Sequence, residues 1–153
     1  MLKERASGAR GAEEQRRIRA LYERFLDAGH GSCILKRNDC AEVVARVLRD
    51  RDGKRYRLGT WTIMPNHIHA IVKPLAAFSL DRITADWKSV TAHEINRLMG
   101  RHGSLWQAES YDSWLRDEHD LDRVRRYILQ NPIKAHLLDW KWVGDPDLTG
   151  ILG

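Results

Sequence analysis

Two histidines, His67 and His69, occupy alternate positions within the apolar run 60–72. Alternate residues of a β-strand point to the same face, so both imidazole rings would be directed to one place, with Ile68 turned into a core. Two imidazoles on one rigid face form half of a divalent-metal site. This spacing is a weak signal by itself, because most such pairs are packed or surface histidines.

A second candidate group lies downstream, where Tyr127 and Asn131 are four residues apart and would share one face of a helix. The amide oxygen of Asn131 suits a hard cation such as Mg²⁺ or Mn²⁺. Tyrosine is also among the side chains that act as covalent nucleophiles. The pattern alone is explained as well by Tyr127 packing beside Val124 and Ile128, and by Asn131 ending a helix before a proline.

The chain has 153 residues, a length typical of one domain. Its 42% hydrophobic and 31% charged residues describe an ordinary globular protein. Neither Cys33 nor Cys40 fits a disulfide framework or a zinc spacing. No apolar run is long enough to span a bilayer, and the charged N-terminus shows no secretory signal. We therefore expect a cytoplasmic protein with no membrane contact, in which residues 1–12 are disordered and residues 13–153 form one domain.

Apolar periodicity predicts an α+β domain that begins with a helix over 13–28, where Ile18, Leu21, Tyr22, Phe25 and Leu26 recur at helical spacing. Six further elements are expected. They are a helix over 38–51, a strand over 56–64, a strand over 68–72, a helix over 79–99, a strand over 110–115 and a last helix from 118 or 120 to 131.

Two prolines are expected to interrupt these elements. The two neighbouring strands should form a hairpin whose pairing breaks or bulges at Pro65, because proline has no ladder donor. The last helix should end or kink at Asn131, because the residue before a proline avoids helical geometry. The tail after that helix is expected to be irregular.

The segment 64–69 reads Met-Pro-Asn-His-Ile-His and resembles the Met-Pro-Asn-His-Val-His signature of REP-associated tyrosine transposases, which belong to the single-tyrosine HUH transposases. Further similarity lies in 106–112, in 116–118 and in 127–135, where Tyr-Ile-Leu-Gln-Asn-Pro-Ile-Lys-Ala resembles the family's Tyr-Ile-x-x-Asn-Pro-Val-Lys-Ala. These segments keep the family's order and spacing across about half of the chain. Several matches in register are far more specific than one histidine pair.

The resemblance implies a ferredoxin-like fold, with a small antiparallel sheet packed by helices, and metal-dependent cleavage and joining of single-stranded DNA. His67 and His69 match the family's metal-binding histidines, and the metal is expected to be Mg²⁺ or Mn²⁺. Tyr127 matches the nucleophile that forms a 5′-phosphotyrosine link. Asn131 stands where related enzymes place a polar third ligand.

The resemblance also implies a partner, namely single-stranded DNA hairpins formed by repetitive extragenic palindromes. A net charge of +5 is compatible with such a polyanion. The candidate DNA-binding residues are Lys88, Arg116, Arg126 and Lys134, each of which is also explained as an ordinary solvated charge. The protein is expected to be nucleoid-associated and either a monomer or a homodimer.

The N-terminal half departs from the family pattern, which begins with a central strand. Only residues 32–35 are available for it, so we expect that strand to be missing or replaced by the N-terminal helix. Tyr111 is the alternative nucleophile. Two other functions stay open: a domesticated protein that binds DNA hairpins without cutting, and a metal-water phosphodiesterase that uses a carboxylate such as Glu109 or Asp112.

Overall fold

The computed structural model describes residues 18–24, 33–107, 111–149 and 151. The disorder predicted for 1–12 lies outside these residues. The described elements, in chain order, are β1 (Ile18–Arg24), a 3₁₀ turn (Ile34–Lys36), α1 (Asn38–Asp50), β2 (Tyr56–Met64), β3 (His67–Pro74), α2 (Leu80–Met99), β4 (Tyr111–Leu115), α3 (Glu118–Lys134) and β5 (Val143–Gly144). No helix among them is long and apolar enough to cross a bilayer.

The five strands form one sheet in the order β4-β1-β3-β2-β5, and every neighbouring pair is antiparallel. The succession β1-α1-β2-β3-α2-β4 is that of the ferredoxin-like fold. The predicted α+β class is therefore confirmed. The helix α3 and the short strand β5 follow this unit and cover one face and one edge of it.

The expected N-terminal helix is wrong over the residues that can be described, because Ile18–Arg24 is the strand β1. This strand pairs with β3 on one side and with β4 on the other, so the first strand is neither missing nor replaced. Backbone hydrogen bonds to two neighbouring strands override a weak helical spacing of apolar residues. The segment considered as a substitute strand instead contains the 3₁₀ turn Ile34–Lys36.

The turn between β2 and β3 is tight, because Met64 pairs directly with His67 and leaves only Pro65 and Asn66 in the loop. The predicted hairpin is therefore confirmed, and its pairing stops at Pro65 because this residue begins the turn, with no bulge there. A proline in the loop has no ladder hydrogen bond to lose. The register shift of this hairpin lies elsewhere, between Leu58 and Trp61.

The sheet has a core on each face. On one face, α1 and α2 pack over the larger core, to which β3 contributes Ile68, Ala70 and Val72. On the other face, α3 contributes Leu121 and Ile128 to a smaller core with Ile71 of β3 and Leu115 of β4. Residues of β3 thus alternate between the two faces, as the sequence pattern predicts.

The last helix does not end at Asn131 but continues through Pro132 to Lys134. Pro132 lies within the final turn, so its missing N–H removes one hydrogen bond to the carbonyl four residues earlier, and its ring is buried. The tail is not wholly irregular either, since Val143 and Gly144 pair with Thr62 and Trp61 of β2 as strand β5.

Candidate functional site

The two histidines of β3 lie side by side on the face of the sheet that α3 covers, which is the face of Ile71. Their ring centroids are 4.8 Å apart and their ring planes are nearly perpendicular, at 89°. The intervening Ile68 is buried in the opposite core. The structure therefore brings His67 and His69 together as the alternation predicts.

Asn66 orients the first of these rings. The Nδ1 atom of His67 lies 2.6 Å from the Oδ1 atom of Asn66. A carboxamide oxygen only accepts hydrogen bonds, so Nδ1 donates, which leaves Nε2 as the ring nitrogen of His67 that can bind a metal ion. A metal-binding histidine characteristically has such a partner on its other nitrogen.

His69 is buried, with 4% of its surface exposed. Burial, with a smaller contribution from the neighbouring His67, lowers the pKa of His69 to about 3. The ring is therefore neutral at physiological pH, which is the form that binds a metal ion. A neutral, buried imidazole suits a ligand better than it suits a cationic contact to DNA.

Tyr127 of α3 packs edge-on against His69, with ring centroids 5.5 Å apart and an interplanar angle of 81°. The tyrosine is 52% exposed, although it is a large aromatic residue. One edge of its ring thus meets the histidine pair while much of the side chain faces solvent. Two residues that lie 58 positions apart in sequence thus meet within a single chain.

Asn131 lies one helical turn beyond Tyr127 in α3. Its Nδ2 atom donates to the backbone carbonyl of Tyr127 at 2.9 Å. This hydrogen bond engages the amide nitrogen, so Oδ1 is the atom of Asn131 that would bind a cation.

The four candidate DNA-binding residues do not form one group. Arg126 and Lys134 are exposed on α3, and Arg126 forms an i,i+4 ion pair with Asp122 at 2.7 Å. Arg116 is exposed between β4 and α3. Lys88 belongs to α2, which packs on the opposite face of the sheet, and its Nζ donates to the carbonyl of Gln107 at 2.8 Å.

The alternative site residues lie farther away or outside the described structure. Tyr111 is in β4, which is separated from β3 by β1, and Glu109 is not described. Among the described residues, no group of three or more His, Cys, Asp or Glu side chains is placed to hold a metal ion. Within that part of the chain, Asp112 does not complete a carboxylate site with the two histidines.

Sequence reasoning did not assign Asn66 a role, although it quoted the residue within the motif. The sequence offered one signal for this role, namely that Asn66 directly precedes His67. An asparagine in a two-residue turn can reach the first side chain of the strand that follows. The packing of Tyr127 on His69 has no local signal and depends on how α3 crosses the sheet.

A family model described as "Transposase IS200 like" matches residues 34–131, more than half of the chain and a span that contains both histidines, Tyr127 and Asn131. A search of curated protein sequences finds no significant match.

Two solved structures share the fold. One is a REP-associated tyrosine transposase bound to a REP hairpin, with a TM-score of 0.61 and 18% identity, over 83% of this chain and 75% of that one. The other is a proposed transposase from Deinococcus radiodurans R1, with a TM-score of 0.50 and 15% identity, over 74% of this chain and 88% of that one.

Proposed function

Because the chain belongs to the IS200-like transposase family, we propose that it cleaves and rejoins single-stranded DNA at hairpins, with Tyr127 as the nucleophile. One observation carries the proposal, namely the contact of the Tyr127 ring with His69 within the same chain. Tyr127 lies on the helix that covers this face of the sheet, yet it is 52% exposed and directs one ring edge at His69. A shared reaction centre explains why they meet.

The donor atoms fit a divalent cation. His69 is neutral by virtue of its burial, and the hydrogen bond to Asn66 engages Nδ1 of His67, so Nε2 is the nitrogen that would bind the cation. His67, His69 and the Oδ1 atom of Asn131 would hold Mg²⁺ or Mn²⁺. The amide oxygen suits either hard cation, and the two imidazoles favour the transition metal Mn²⁺ of the two. The bound cation would supply a Lewis acid that polarises the scissile phosphate.

In each step of the proposed reaction, one bond between phosphorus and oxygen forms as another breaks. Its phenolic oxygen bonds to phosphorus and loses its proton, while the bond from phosphorus to the 3′ oxygen breaks and that oxygen becomes a 3′-hydroxyl. The downstream strand stays attached to Tyr127 through its 5′ phosphate. A 3′-hydroxyl from another strand can reverse the step and join a new end, so no ATP is needed.

The exposed half of Tyr127 gives a DNA strand access to the phenol from solvent. Arg126 and Lys134 lie on the same helix and would contact phosphates beside the cleavage site. A hairpin is the proposed substrate because the structurally similar REP-associated transposase is bound to one. Arg116 stays a candidate on the approach to α3, whereas the bond of Lys88 to Gln107 ties that residue to the opposite layer.

The test is a covalent-capture experiment with DNA hairpins from repeats that flank the protein's own gene. Substrates labelled on either side of the scissile phosphate are incubated with Mg²⁺ or Mn²⁺ and separated on denaturing gels. Label downstream of the phosphate should migrate with the protein, and label upstream should appear in a shortened strand with a 3′-hydroxyl. Tyr127→Phe should lose both products and still bind the hairpin, while Tyr111→Phe should keep both.

Each other outcome contradicts a defined part of the proposal. An adduct that survives Tyr127→Phe and disappears in Tyr111→Phe would move the nucleophile to Tyr111. Tight binding without cleavage in the wild type would indicate a domesticated hairpin-binding protein. Cleavage without any adduct would indicate attack by water and a phosphodiesterase.

A further inference from the structure

A chain of side-chain hydrogen bonds connects α3 to the β5 edge of the sheet. Arg125 donates from Nε to one carboxylate oxygen of Asp145 at 2.8 Å and from Nη2 to the other at 2.5 Å. The hydroxyl of Thr60, which is buried in β2, donates to the same carboxylate at 3.0 Å. Asp145 directly follows β5, so this clamp joins the middle of α3 to two strands.

The clamp and the candidate nucleophile lie on opposite flanks of the helix. Successive helical residues are separated by about 100°, so Arg125 and Tyr127 are about 200° apart around the axis of α3. Ile128 lies between these two directions and is buried in the small core, with 1% of its surface exposed. The helix is therefore fixed to the sheet by the clamp on one flank, by Ile128 beneath, and by the contact of Tyr127 with His69 on the other flank.

We propose that Arg125 and Asp145 are positioning residues, which fix the rotation of α3 about its own axis and thereby hold Tyr127 against His69. The catalytic consequence rests on the function proposed above, whereas the geometric consequence does not. Neither residue needs to touch DNA for this role.

The form of the contact favours positioning over stability. The two side chains are 36% and 31% exposed, and ion pairs at such exposure contribute little to stability. A two-pronged guanidinium–carboxylate pair nevertheless has a strongly defined geometry, and the third hydrogen bond from Thr60 fixes the carboxylate itself. A tyrosine hydroxyl lies roughly 8 Å from its helix axis, so a rotation of about 10° would move it by more than about 1 Å.

The first test measures the geometry in the absence of DNA and metal. Nuclear Overhauser effects between the ring protons of Tyr127 and His69 are compared in the wild type, Arg125→Met, Asp145→Asn and the control Arg123→Met. The control removes a positive charge from the same helix, where Arg123 pairs only with Asp120 of α3 among the ion pairs of the described residues. The cross-peaks should fall to less than half in the two clamp variants and persist in the control.

Exchanging the charges of Arg125 and Asp145 distinguishes a positioning role of Arg125 from direct contact of Arg125 with DNA. The double variant Arg125→Asp with Asp145→Arg rebuilds the ion pair in reverse but loses the hydrogen bond that Thr60 donates to Asp145, so it should restore the cross-peaks in part, above those of either single clamp variant. Unchanged cross-peaks in both Arg125→Met and Asp145→Asn would overturn the proposal. Asp145→Asn is nearly isosteric and solvent-accessible, so this variant should fold even if the loss of Arg125 disturbs α3.

The second test measures the reaction. In the clamp variants the rate of adduct formation should fall roughly tenfold to a hundredfold, because displacements of about 1 Å have effects of this size. Hairpin affinity should stay within about twofold of the wild type. A different result would be that Arg125→Met lowers the affinity for the hairpin without recovery in the charge-exchange variant. That result would identify Arg125 as a phosphate contact and would overturn the proposal that it is a positioning residue. If the wild type forms no adduct, the proposed function fails, while the cross-peaks still decide the role of the clamp.

Discussion

The Nδ1 atom of His67 donates a hydrogen bond to the Oδ1 atom of Asn66, 2.6 Å away, at the end of the two-residue turn between β2 and β3. The turn itself is held from the other layer, because the backbone N–H of Leu35 donates to the carbonyl of Pro65 at 3.0 Å. The histidine ring is thereby fixed in orientation before any ligand arrives. When a histidine binds a metal ion, loss of the hydrogen-bond partner on its other ring nitrogen typically lowers the metal affinity substantially.

We expect Asn66→Ala to weaken Mn²⁺ binding about tenfold to a hundredfold, because the His67 ring loses the acceptor that sets its tautomer and orientation. Calorimetric titration with Mn²⁺ measures this. The variant Asn66→Asp keeps an acceptor oxygen and should bind at least as tightly as the wild type. Equal affinity in Asn66→Ala and the wild type would show that the hydrogen bond does not support a ligand.

The proposed ligand role of Asn131 can be separated from its helical role. Both Asn131→Ala and Asn131→Asp lose the hydrogen bond from Nδ2 to the carbonyl of Tyr127, but only the aspartate keeps a side-chain oxygen. Mn²⁺ affinity should therefore fall in the alanine variant and be preserved or increased in the aspartate variant. If the two variants bind alike, Asn131 does not bind the cation.

Gly144 is a position where a side chain has no room. A Cβ atom there would lie 2.1 Å from Nε1 of Trp61, whose rigid indole ring is buried. We expect Gly144→Ala to lower the free energy of unfolding by about 1–3 kcal/mol, since overpacking forces the ring or β5 to move. Urea denaturation measures this change.

A double-mutant cycle identifies the cause of the Gly144 effect. If the clash with Trp61 is responsible, Gly144→Ala should cost less free energy in a Trp61→Phe background than in the wild type. An unchanged cost would indicate that the substitution acts through the backbone of β5 instead.

The Arg125–Asp145 pair predicts a specific acid dependence of stability. The hydrogen bond from Arg125 holds the pKa of Asp145 below its usual value of 3.8. A carboxyl with a lowered pKa contributes its stability in full above about pH 5, and this contribution is lost as the pH falls through the folded-state pKa. The wild type should therefore exceed Asp145→Asn by up to about 1 kcal/mol at pH 6.

That difference should shrink as the pH falls below 3.8, because the wild-type carboxyl becomes protonated. Urea denaturation of both proteins at a series of pH values from neutral to well below 3.8 checks this expectation. A difference that is constant over the whole range would show that the ionised carboxylate is not what stabilises the contact.

The sequence was sufficient for the parts of the fold and site that local patterns specify. An apolar run with histidines at alternate positions predicted both the strand and the shared face of His67 and His69. The motif resemblance singled out Tyr127 among four tyrosines, and its ring does contact His69, while its role as nucleophile stays a prediction. The bounds of β2 were predicted without error, because a run of apolar and β-branched residues ends there at a proline.

The elements that were predicted wrongly depend on distant partners. The strand β1 owes its conformation to β3 and β4, which follow it by more than forty residues, and its own spacing resembles that of a helix. Strand β5 is two residues long and exists through its pairing with β2. The clamp between Arg125 and Asp145 likewise has no sequence signature, since only the packing of α3 brings its members together.

The meeting of His69 and Tyr127 within one chain has a consequence for mixed populations. Under the proposed function, each molecule holds both the histidine pair and the tyrosine of one reaction centre, so an inactive copy takes no catalytic residue from an active one. When wild type is mixed with Tyr127→Phe, adduct formation should decline in proportion to the intact fraction rather than as its square. A genome that accumulates defective copies of such a gene would then retain the full activity of every intact one.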